Sequence, residues 1–119
     1  MVNYNVKKNY TLLVDFYELT MANGFFKEGL RDKTVIFDMF FREVPDNGEY
    51  TIVAGLEQLI EYMENLHFSE EDIDFLREKG IFDEEFLSYL KDFEFKCDVW
   101  AMPEGTLAFP GEPLLIVRG

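Results

Sequence analysis

Few side chains in this sequence have the types and spacing that catalysis usually requires. The sequence contains one histidine, His67, one cysteine, Cys97, and two serines, Ser69 and Ser88. His67 follows a predicted helix, where an imidazole is more often a partner of the helix dipole or a loop residue than a general base. Neither serine has the neighbours of a nucleophile motif, and both are interpreted as helix-cap or helix-surface residues. The sequence therefore offers no clear candidate for nucleophilic catalysis.

Metal and phosphate sites also lack a recognisable pattern. Cys97 lies at an inward position of an alternating segment, where a thiol behaves as a small core residue. A single cysteine forms neither an internal disulfide nor a multi-thiolate metal site, so a reducing compartment is expected. No two glycines have the spacing and neighbours of a phosphate-binding loop. The 24 carboxylates include no pair or set that spacing alone singles out as acid and base or as metal ligands.

The charge of the chain excludes two classes of partner. With 24 acidic and 11 basic residues, the formal net charge is −13, which repels a nucleic-acid backbone or an anionic lipid surface. No run approaches the roughly 18 apolar residues of a membrane-spanning helix, and the first eight residues do not resemble a signal peptide. These features predict a soluble, cytoplasmic protein without nucleic-acid or membrane partners.

The first element that could position a binding residue is an N-terminal helix. Asp15 and Glu18 have the spacing of a capping box, and apolar residues at helical intervals extend the helix to about Gly29. One apolar side of this helix consists of Phe16, Leu19, Ala22, Phe26 and Leu30. A second apolar stripe, at four-residue spacing, consists of Tyr17, Met21 and Phe25. An ordinary surface helix is polar there, so the second stripe is predicted to contact something beyond the helix.

Short strands are predicted in two parts of the chain. Residues 34–42 alternate with period two, and residues 50–54 form a second strand after the turn signal at residues 45–48. We predict that these two strands form a hairpin. Beyond Asp92 the period returns to two, and turns at residues 103–105 and 110–113 separate two further strands at residues 106–109 and 114–117. These strands are predicted to form a meander whose last strand lacks a cover.

Three amphipathic helices are predicted between these strands. Gly55 precedes the first, whose inward side consists of Leu56, Leu59, Ile60, Met63 and Leu66. The second begins with a capping-box pattern at Ser69 and Asp72, and Asp83 precedes the third. Residues 57–94 contain 13 acidic and three basic residues, a net charge of −10, which solvated helix faces explain better than an acidic docking surface. The pattern predicts an α+β fold: an N-terminal helix, a mixed or antiparallel sheet of short strands, and three amphipathic helices.

Four blocks of sequence resemble the nicotinate phosphoribosyltransferase family in the same order. Residues 12–22 read LLVDFYELTMA, and the usual opening motif of the family is L-L-T-D-x-Y-x-L-T-M. The other blocks are FDMFFR at residues 37–42, YTIVAGLEQL at 50–59, and PEGT at 103–106 with FPGEPLL at 109–115. Val14 stands where the motif usually has threonine, which removes a hydroxyl beside the predicted cap but leaves Tyr17 intact.

The resemblance implies a fold and an activity for a longer protein. It implies the N-terminal domain of type II phosphoribosyltransferases without the barrel domain, so residues 1–119 are expected to be a single domain, an N-terminal fragment of a longer enzyme. The family transfers phosphoribose from phosphoribosyl pyrophosphate to nicotinate for NAD salvage, a glycosyltransferase and ligase reaction coupled to ATP hydrolysis through a phosphorylated histidine. His67 does not match that histidine. The whole enzyme is expected to be a cytoplasmic homodimer that uses ATP and Mg²⁺, whereas this chain alone is expected to bind no cofactor and to be inactive.

Only one binding residue is implied by the resemblance. Tyr17 corresponds to the tyrosine of the D-x-Y motif, which packs on the pyridine ring in the neighbouring subunit's site; by its spacing alone, it would be a core or interface residue. Two further residues have alternative roles. Asp15 orients the local loop or the partner's site, or simply caps the helix. Arg42 contacts an anion or carboxylate, or forms an ion pair at a strand end.

Two other functions compete with this interpretation. A related enzyme that uses quinolinate or nicotinamide is disfavoured, because the L-T-M continuation after Tyr17 is nearer to the nicotinate members. A non-catalytic acidic interaction module or regulatory subunit is the alternative of a different class. Such a module would use the stripe of Tyr17, Met21 and Phe25 to bind a protein partner.

Overall fold

The structure, a computed structural model, describes residues 9–119 and contains both helices and short antiparallel strands. In chain order, the elements are α1 (Phe16–Lys27), β1 (Ile36–Met39), a 3-10 turn (Pro45–Asn47), β2 (Thr51–Ile52), α2 (Leu56–Glu64), α3 (Glu70–Glu78), α4 (Glu84–Lys91), β3 (Asp98–Ala101), β4 (Leu107–Ala108) and β5 (Leu115–Arg118). The predicted α+β fold is therefore confirmed. None of the helices in this part of the chain is both long enough and apolar enough to cross a membrane.

The elements belong to two compact units, which we describe separately. The helical unit comprises residues 9–32 and 65–95, with α1, α3 and α4. The sheet unit comprises residues 33–64 and 96–119, with all five strands and α2.

The core of the helical unit lies between α3 and α4. Its buried members are Ile73, Leu76, Phe86, Leu87 and Leu90. Side chains from α1 and the connecting segments cover this core and are partly buried: Leu12, Leu19, Ala22, Phe26, Phe68 and Phe82. The inward side predicted for the first helix is therefore confirmed at Leu19, Ala22 and Phe26, whereas Phe16 is nearly half exposed.

The start of α3 confirms the predicted capping box. Ser69 Oγ accepts the N–H of Asp72 at 3.2 Å, and Asp72 Oδ2 accepts the N–H of Ser69 at 2.8 Å. These two bonds satisfy backbone donors that a helix leaves without partners at its first turn. The same exchange is absent from α1 and α4, whose N-cap residues Asp15 and Asp83 make no side-chain cap hydrogen bond.

The sheet unit contains two antiparallel pairings of strands that are distant in sequence. A three-stranded sheet has the order β1-β5-β3, with Phe37 opposite Val117 and Val117 opposite Val99. A separate two-stranded sheet pairs β2 with β4. Leu56, Leu59 and Met63 of α2 are partly buried as predicted, whereas Ile60 is exposed.

The predicted hairpin of β1 and β2 is wrong, although the turn between them is present. β1 pairs with β5, and the loops continue this pairing because Leu114 and Gly111 donate their N–H groups to the carbonyls of Met39 and Phe41. β2 pairs with β4 instead, and Val53 donates to the carbonyl of Thr106. The turn signal reports only local backbone geometry. The hydrogen-bonding groups of both strands have their partners in strands near the C-terminal end of the sequence.

The predicted meander is also wrong in its strand order. β4 does not belong to the sheet that contains β3 and β5. β3 and β5 pair directly with each other, although β4 lies between them in the sequence. β5 is consequently the central strand of the three-stranded sheet, paired on both edges. The strands are also shorter than predicted: β1 begins at Ile36, and β3 begins only at Asp98.

Candidate functional site

The outward side of α1 is the most prominent apolar surface of the helical unit. Tyr17, Met21 and Phe25, which we call the α1 outer face, are 59%, 50% and 51% exposed. Residues four apart on a helix are neighbours on one side, so the three side chains form a continuous stripe. The side chains of this second stripe of the predicted helix are therefore about half exposed.

Apolar packing on the opposite side holds α1 against the helical core. The Phe26 ring lies 5.7 Å from the Phe86 ring and 5.2 Å from the Tyr89 ring, measured between centroids. Near the start of α1, the Phe16 ring meets the Phe82 ring edge-on at 5.8 Å. These contacts bury one side of α1 and leave the outer face free.

The segment that leads into α1 is held by hydrogen bonds. Thr11 is buried, and its hydroxyl donates to the His67 carbonyl at 2.7 Å. Asn9 donates through Nδ2 to Asp72 Oδ2 at 2.8 Å. The entry to α1 is thus attached to the segment that precedes α3.

Polar contacts also join α1 to the start of α4. Asn23 Oδ1 accepts the backbone N–H of Asp83 at 3.2 Å, and the Lys27 ammonium lies 3.3 Å from Asp83 Oδ1. Sequence reasoning missed Asn23. The available signal was an amide beside the apolar positions 19, 22 and 26, where a polar side chain needs an internal partner.

Tyr17 combines an exposed aromatic ring with a fixed backbone. Its carbonyl accepts the Thr20 hydroxyl at 2.9 Å within the first turns of α1. An exposed phenol offers a flat face for stacking on a flat ligand and a hydroxyl for hydrogen bonding. The geometry suits either a ring-shaped ligand or an aromatic contact with another protein surface.

Asp15 is the N-cap residue of α1, two residues before Tyr17, but its side chain does not cap the helix. The backbone carbonyl of Asp15 accepts the N–H of Glu18 at 3.0 Å, which satisfies the donor that the carboxylate was predicted to bind. The predicted capping box of α1 is therefore wrong. The Asp15 carboxylate is exposed.

Arg42 belongs to the sheet unit, whereas Tyr17 and Asp15 belong to the helical unit. It lies three residues after the end of β1 and is exposed. None of the ion pairs found within residues 9–119 involves Arg42. Asp15 and Tyr17 are thus both at the start of α1, without a contact between their side chains, and the Arg42 guanidinium makes no ion pair with the described residues.

The sheet unit contains a cavity of about 460 Å³ beside the start of α2. Its lining is mainly apolar and includes Met39, Val44, Ile52, Leu59, Met102 and Leu114. Nearby, the Glu104 carboxylate accepts the N–H groups of Gly55 and Leu56 at 2.9 and 3.0 Å. These backbone hydrogen bonds, first that of Leu56 and then that of Gly55, lower the pKa of Glu104. The cavity contains no set of polar groups arranged for catalysis.

The remaining residues considered from the sequence have structural surroundings. His67 lies in the loop after α2, as one of the two predicted alternatives stated, and its Nδ1 is 2.7 Å from the Asn65 carbonyl. Cys97 is half-buried just before β3, and its thiol lies against Gly119. In the part of the chain that the structure describes, no three His, Cys, Asp or Glu side chains are grouped as a metal site.

Comparison with known proteins identifies relatives over nearly the whole chain. Residues 12–119 match the family model described as the nicotinate phosphoribosyltransferase (NAPRTase) N-terminal domain. The chain is 43% identical to nicotinate phosphoribosyltransferase pncB2 of Mycobacterium tuberculosis over 86% of this chain and 22% of the relative. It is 40% identical to nicotinate phosphoribosyltransferase 2 of Arabidopsis thaliana over 91% of this chain and 20% of the relative.

A solved structure shows the same fold. The crystal structure of human nicotinic acid phosphoribosyltransferase matches with a TM-score of 0.79 and 34% identity, over 89% of this chain and 22% of the human chain. The chain therefore spans about a fifth of the length of the relatives that it matches.

Proposed function

The chain belongs to the nicotinate phosphoribosyltransferase family, in which it corresponds to the N-terminal domain. We propose that it is the N-terminal domain of a longer enzyme that makes nicotinate mononucleotide. In this reaction, the pyridine nitrogen of nicotinate forms a bond to C1 of the ribose, and the bond from C1 to pyrophosphate breaks. The observation that carries the proposal is the family match over residues 12–119. The product enters NAD synthesis, and the cell compartment proposed is the cytoplasm.

The role proposed for this domain is to provide a binding surface through Tyr17. The ring is exposed on the side of α1 that faces away from the helical core, so a ligand reaches it without rearrangement of the helix. We propose that the ring stacks on nicotinate in the site of a neighbouring subunit of a homodimer. Stacking suits this substrate because the pyridine ring is flat and its carboxylate remains free for polar contacts.

Asp15 and Arg42 have subsidiary roles in the proposal. The Asp15 carboxylate is exposed at the N-cap of α1, two residues before Tyr17, where it can orient the loop or a group of the partner's site. The unpaired guanidinium of Arg42 suits an anion, and phosphoribosyl pyrophosphate carries several negative charges. Both groups are proposed to act in binding, because the pyridine nitrogen attacks through its lone pair and requires no proton transfer at that atom.

ATP and Mg²⁺ are proposed as cofactors of the longer enzyme. The described residues do not fit a metal site, since their carboxylates are dispersed over the surface and none converges with two other ligands. The contribution of this chain is therefore one of binding and orientation.

The test of the proposal is an assay of the full-length protein that contains this chain, purified from a host that lacks its own enzyme. We expect nicotinate mononucleotide from nicotinate and phosphoribosyl pyrophosphate, faster with ATP and Mg²⁺ than without them. Quinolinate and nicotinamide should be poor substrates, and residues 1–119 alone should form no product. A full-length protein without activity, or a coding region that ends at Gly119, would instead favour the non-catalytic interaction module.

A further inference from the structure

Asn23 is one of only two polar residues that are buried in the described part of the chain, and the other is Thr11. Both lie in the helical unit, and both attach α1 or its leading segment to other elements. Thr11 holds the entry to α1, whereas Asn23 lies within the helix itself. A buried amide in a helix is costly unless its polar atoms have partners, so its contact with α4 needs a physical explanation.

The contact of Asn23 differs in kind from the apolar contacts around it. Leu19, Ala22 and Phe26 pack by shape, and such packing tolerates small rotations of a helix about its own axis. The hydrogen bond from the Asp83 N–H to Asn23 Oδ1 is directional and weakens when the angle changes. Lys27, one turn later on the same edge of α1, contacts the carboxylate of the same residue. Together, they attach one edge of α1 to Asp83, the N-cap residue of α4.

Rotation of α1 matters because Tyr17 lies on the far side of the helix. Atoms at the outer radius of a helix are about 5–6 Å from its axis, so a rotation of about 10° moves them by about 1 Å. A displacement of that size is enough to disturb a stacked ring, for which the reacting atoms must be held in a narrow range of positions.

We propose that Asn23 is a positioning residue that fixes the rotation of α1 through the backbone N–H of Asp83 and thereby places the Tyr17 ring. This inference rests on the proposed function, in which Tyr17 contacts nicotinate. Asn23 itself touches neither substrate. Its loss should therefore weaken the use of nicotinate without an equal effect on phosphoribosyl pyrophosphate.

The first experiment compares two substitutions of similar shape in the full-length protein. Asn23→Leu removes the acceptor, whereas Asn23→Asp retains an oxygen that accepts the Asp83 N–H and lies at the positive end of α4. We expect Asn23→Leu to raise the nicotinate KM about three- to tenfold with a smaller change in the KM of phosphoribosyl pyrophosphate, and Asn23→Asp to stay near the wild-type value. If Asn23→Leu does not fold, Asn23→Ala takes its place.

A general loss of stability is separated from positioning by a matched control. Ile73→Val removes one methylene from the core of the helical unit without touching α1 polar contacts. In Asn23→Leu, hydrogen exchange at the Asp83 amide should become faster relative to exchange at the amides of α4. In Ile73→Val, exchange at the Asp83 amide and at the amides of α4 should change by the same factor. An equal rise in nicotinate KM for Asn23→Leu and Ile73→Val would overturn the positioning role.

A double substitution shows whether Asn23 acts through Tyr17. In the Tyr17→Ala background, Asn23→Leu should produce no further rise in nicotinate KM, because the ring to be positioned is already absent. A further rise of the same factor would overturn the inference while leaving the role of Tyr17 standing. An unchanged KM in Tyr17→Ala alone would overturn the proposed role of Tyr17, and the inference with it.

Discussion

The exposed ring of Tyr17 distinguishes two roles for this residue. A tyrosine that packs α1 into its own domain would be buried, whereas Tyr17 is 59% exposed and lies opposite the buried side of the helix. Its removal should therefore leave little or no cavity. A surface of this kind is available for a contact outside the described chain.

Tyr17→Ala in the full-length protein should raise the nicotinate KM by about 2- to 10-fold, because a ring stack contributes about 0.5–1.5 kcal/mol beyond area burial. The KM of phosphoribosyl pyrophosphate should change much less. Since the side chain is exposed in this chain, the free energy of unfolding should fall by only about 0.5 kcal/mol or less. Steady-state kinetics with each substrate and urea unfolding of the same preparations provide these values.

Tyr17→Phe is the matched control because it keeps the ring and deletes the hydroxyl. Near-normal kinetics would assign the role to the ring, whereas a loss as large as that of alanine would assign it to a hydrogen bond. Loss of stability by several kcal/mol in Tyr17→Ala with an unchanged nicotinate KM would contradict the binding role.

The sequence predicts part of the candidate site. Tyr17 is predicted from its motif and its position on a second apolar stripe, and its exposure agrees with that position, while its role in binding stays a prediction. Asn23 and Glu104 were missed because their partners are distant in sequence. Asn23 binds the N–H of Asp83, and Glu104 binds the N–H groups of Gly55 and Leu56. The cap predicted for Asp15 failed for a different, local reason: the backbone carbonyl of Asp15 itself accepts the N–H of Glu18.

At the scale of elements, helices were predicted better than strand pairings. The capping box of Ser69 and Asp72 and the start of α4 depend on residues within one turn, so their signals are local. Strand neighbours depend on contacts across the chain. The turn at residues 45–48 is real, yet β1 and β2 pair with β5 and β4, whose backbone groups no local pattern connects to them.

The Glu104 carboxylate joins the turn before β4 to the start of α2, and this contact has a defined pH dependence. The pKa of Glu104 is lowered below its ordinary value of 4.5 because the carboxylate accepts N–H groups from Leu56 and Gly55. A group whose pKa is lowered by folding stabilises the folded state above its ordinary pKa. That stabilisation is lost as the pH falls through the lowered pKa.

Glu104→Gln should lower the urea midpoint of unfolding at pH 7, because the amide offers one acceptor oxygen to two N–H groups. The difference from wild type should begin to shrink as the pH falls below about 4.5, where Glu104 of the unfolded chain becomes protonated, and should be lost once the pH has fallen through the lowered pKa of the folded chain. Glu49→Gln, which removes the same charge from an exposed loop of the sheet unit, should have little effect. A difference between wild type and Glu104→Gln that is independent of pH would contradict this account.

At the scale of the whole molecule, a large acidic charge coexists with exposed apolar residues. The net charge is −13. The exposed side chains include the α1 outer face and, in the sheet unit, Ile36, Phe37 and Trp100. Apolar surface favours association of the isolated chain, whereas charge of one sign opposes it. The balance between the two depends on ionic strength.

The purified chain should therefore bind a hydrophobic dye and self-associate more strongly as salt is added, because salt screens the charge repulsion but leaves apolar contact intact. The Debye length falls from about 10 Å at 0.1 M to about 3 Å at 1 M salt, which is short enough to screen most repulsion between approaching copies. Sedimentation velocity over a range of protein and salt concentrations measures the degree of association.

Met21→Lys places a charge in the α1 outer face and should reduce both association and dye binding. Ser88→Lys adds the same charge at an exposed position of α4 and should change neither property as much. A chain that stays monomeric at every concentration and binds no dye would show that these apolar residues do not act as a contact surface.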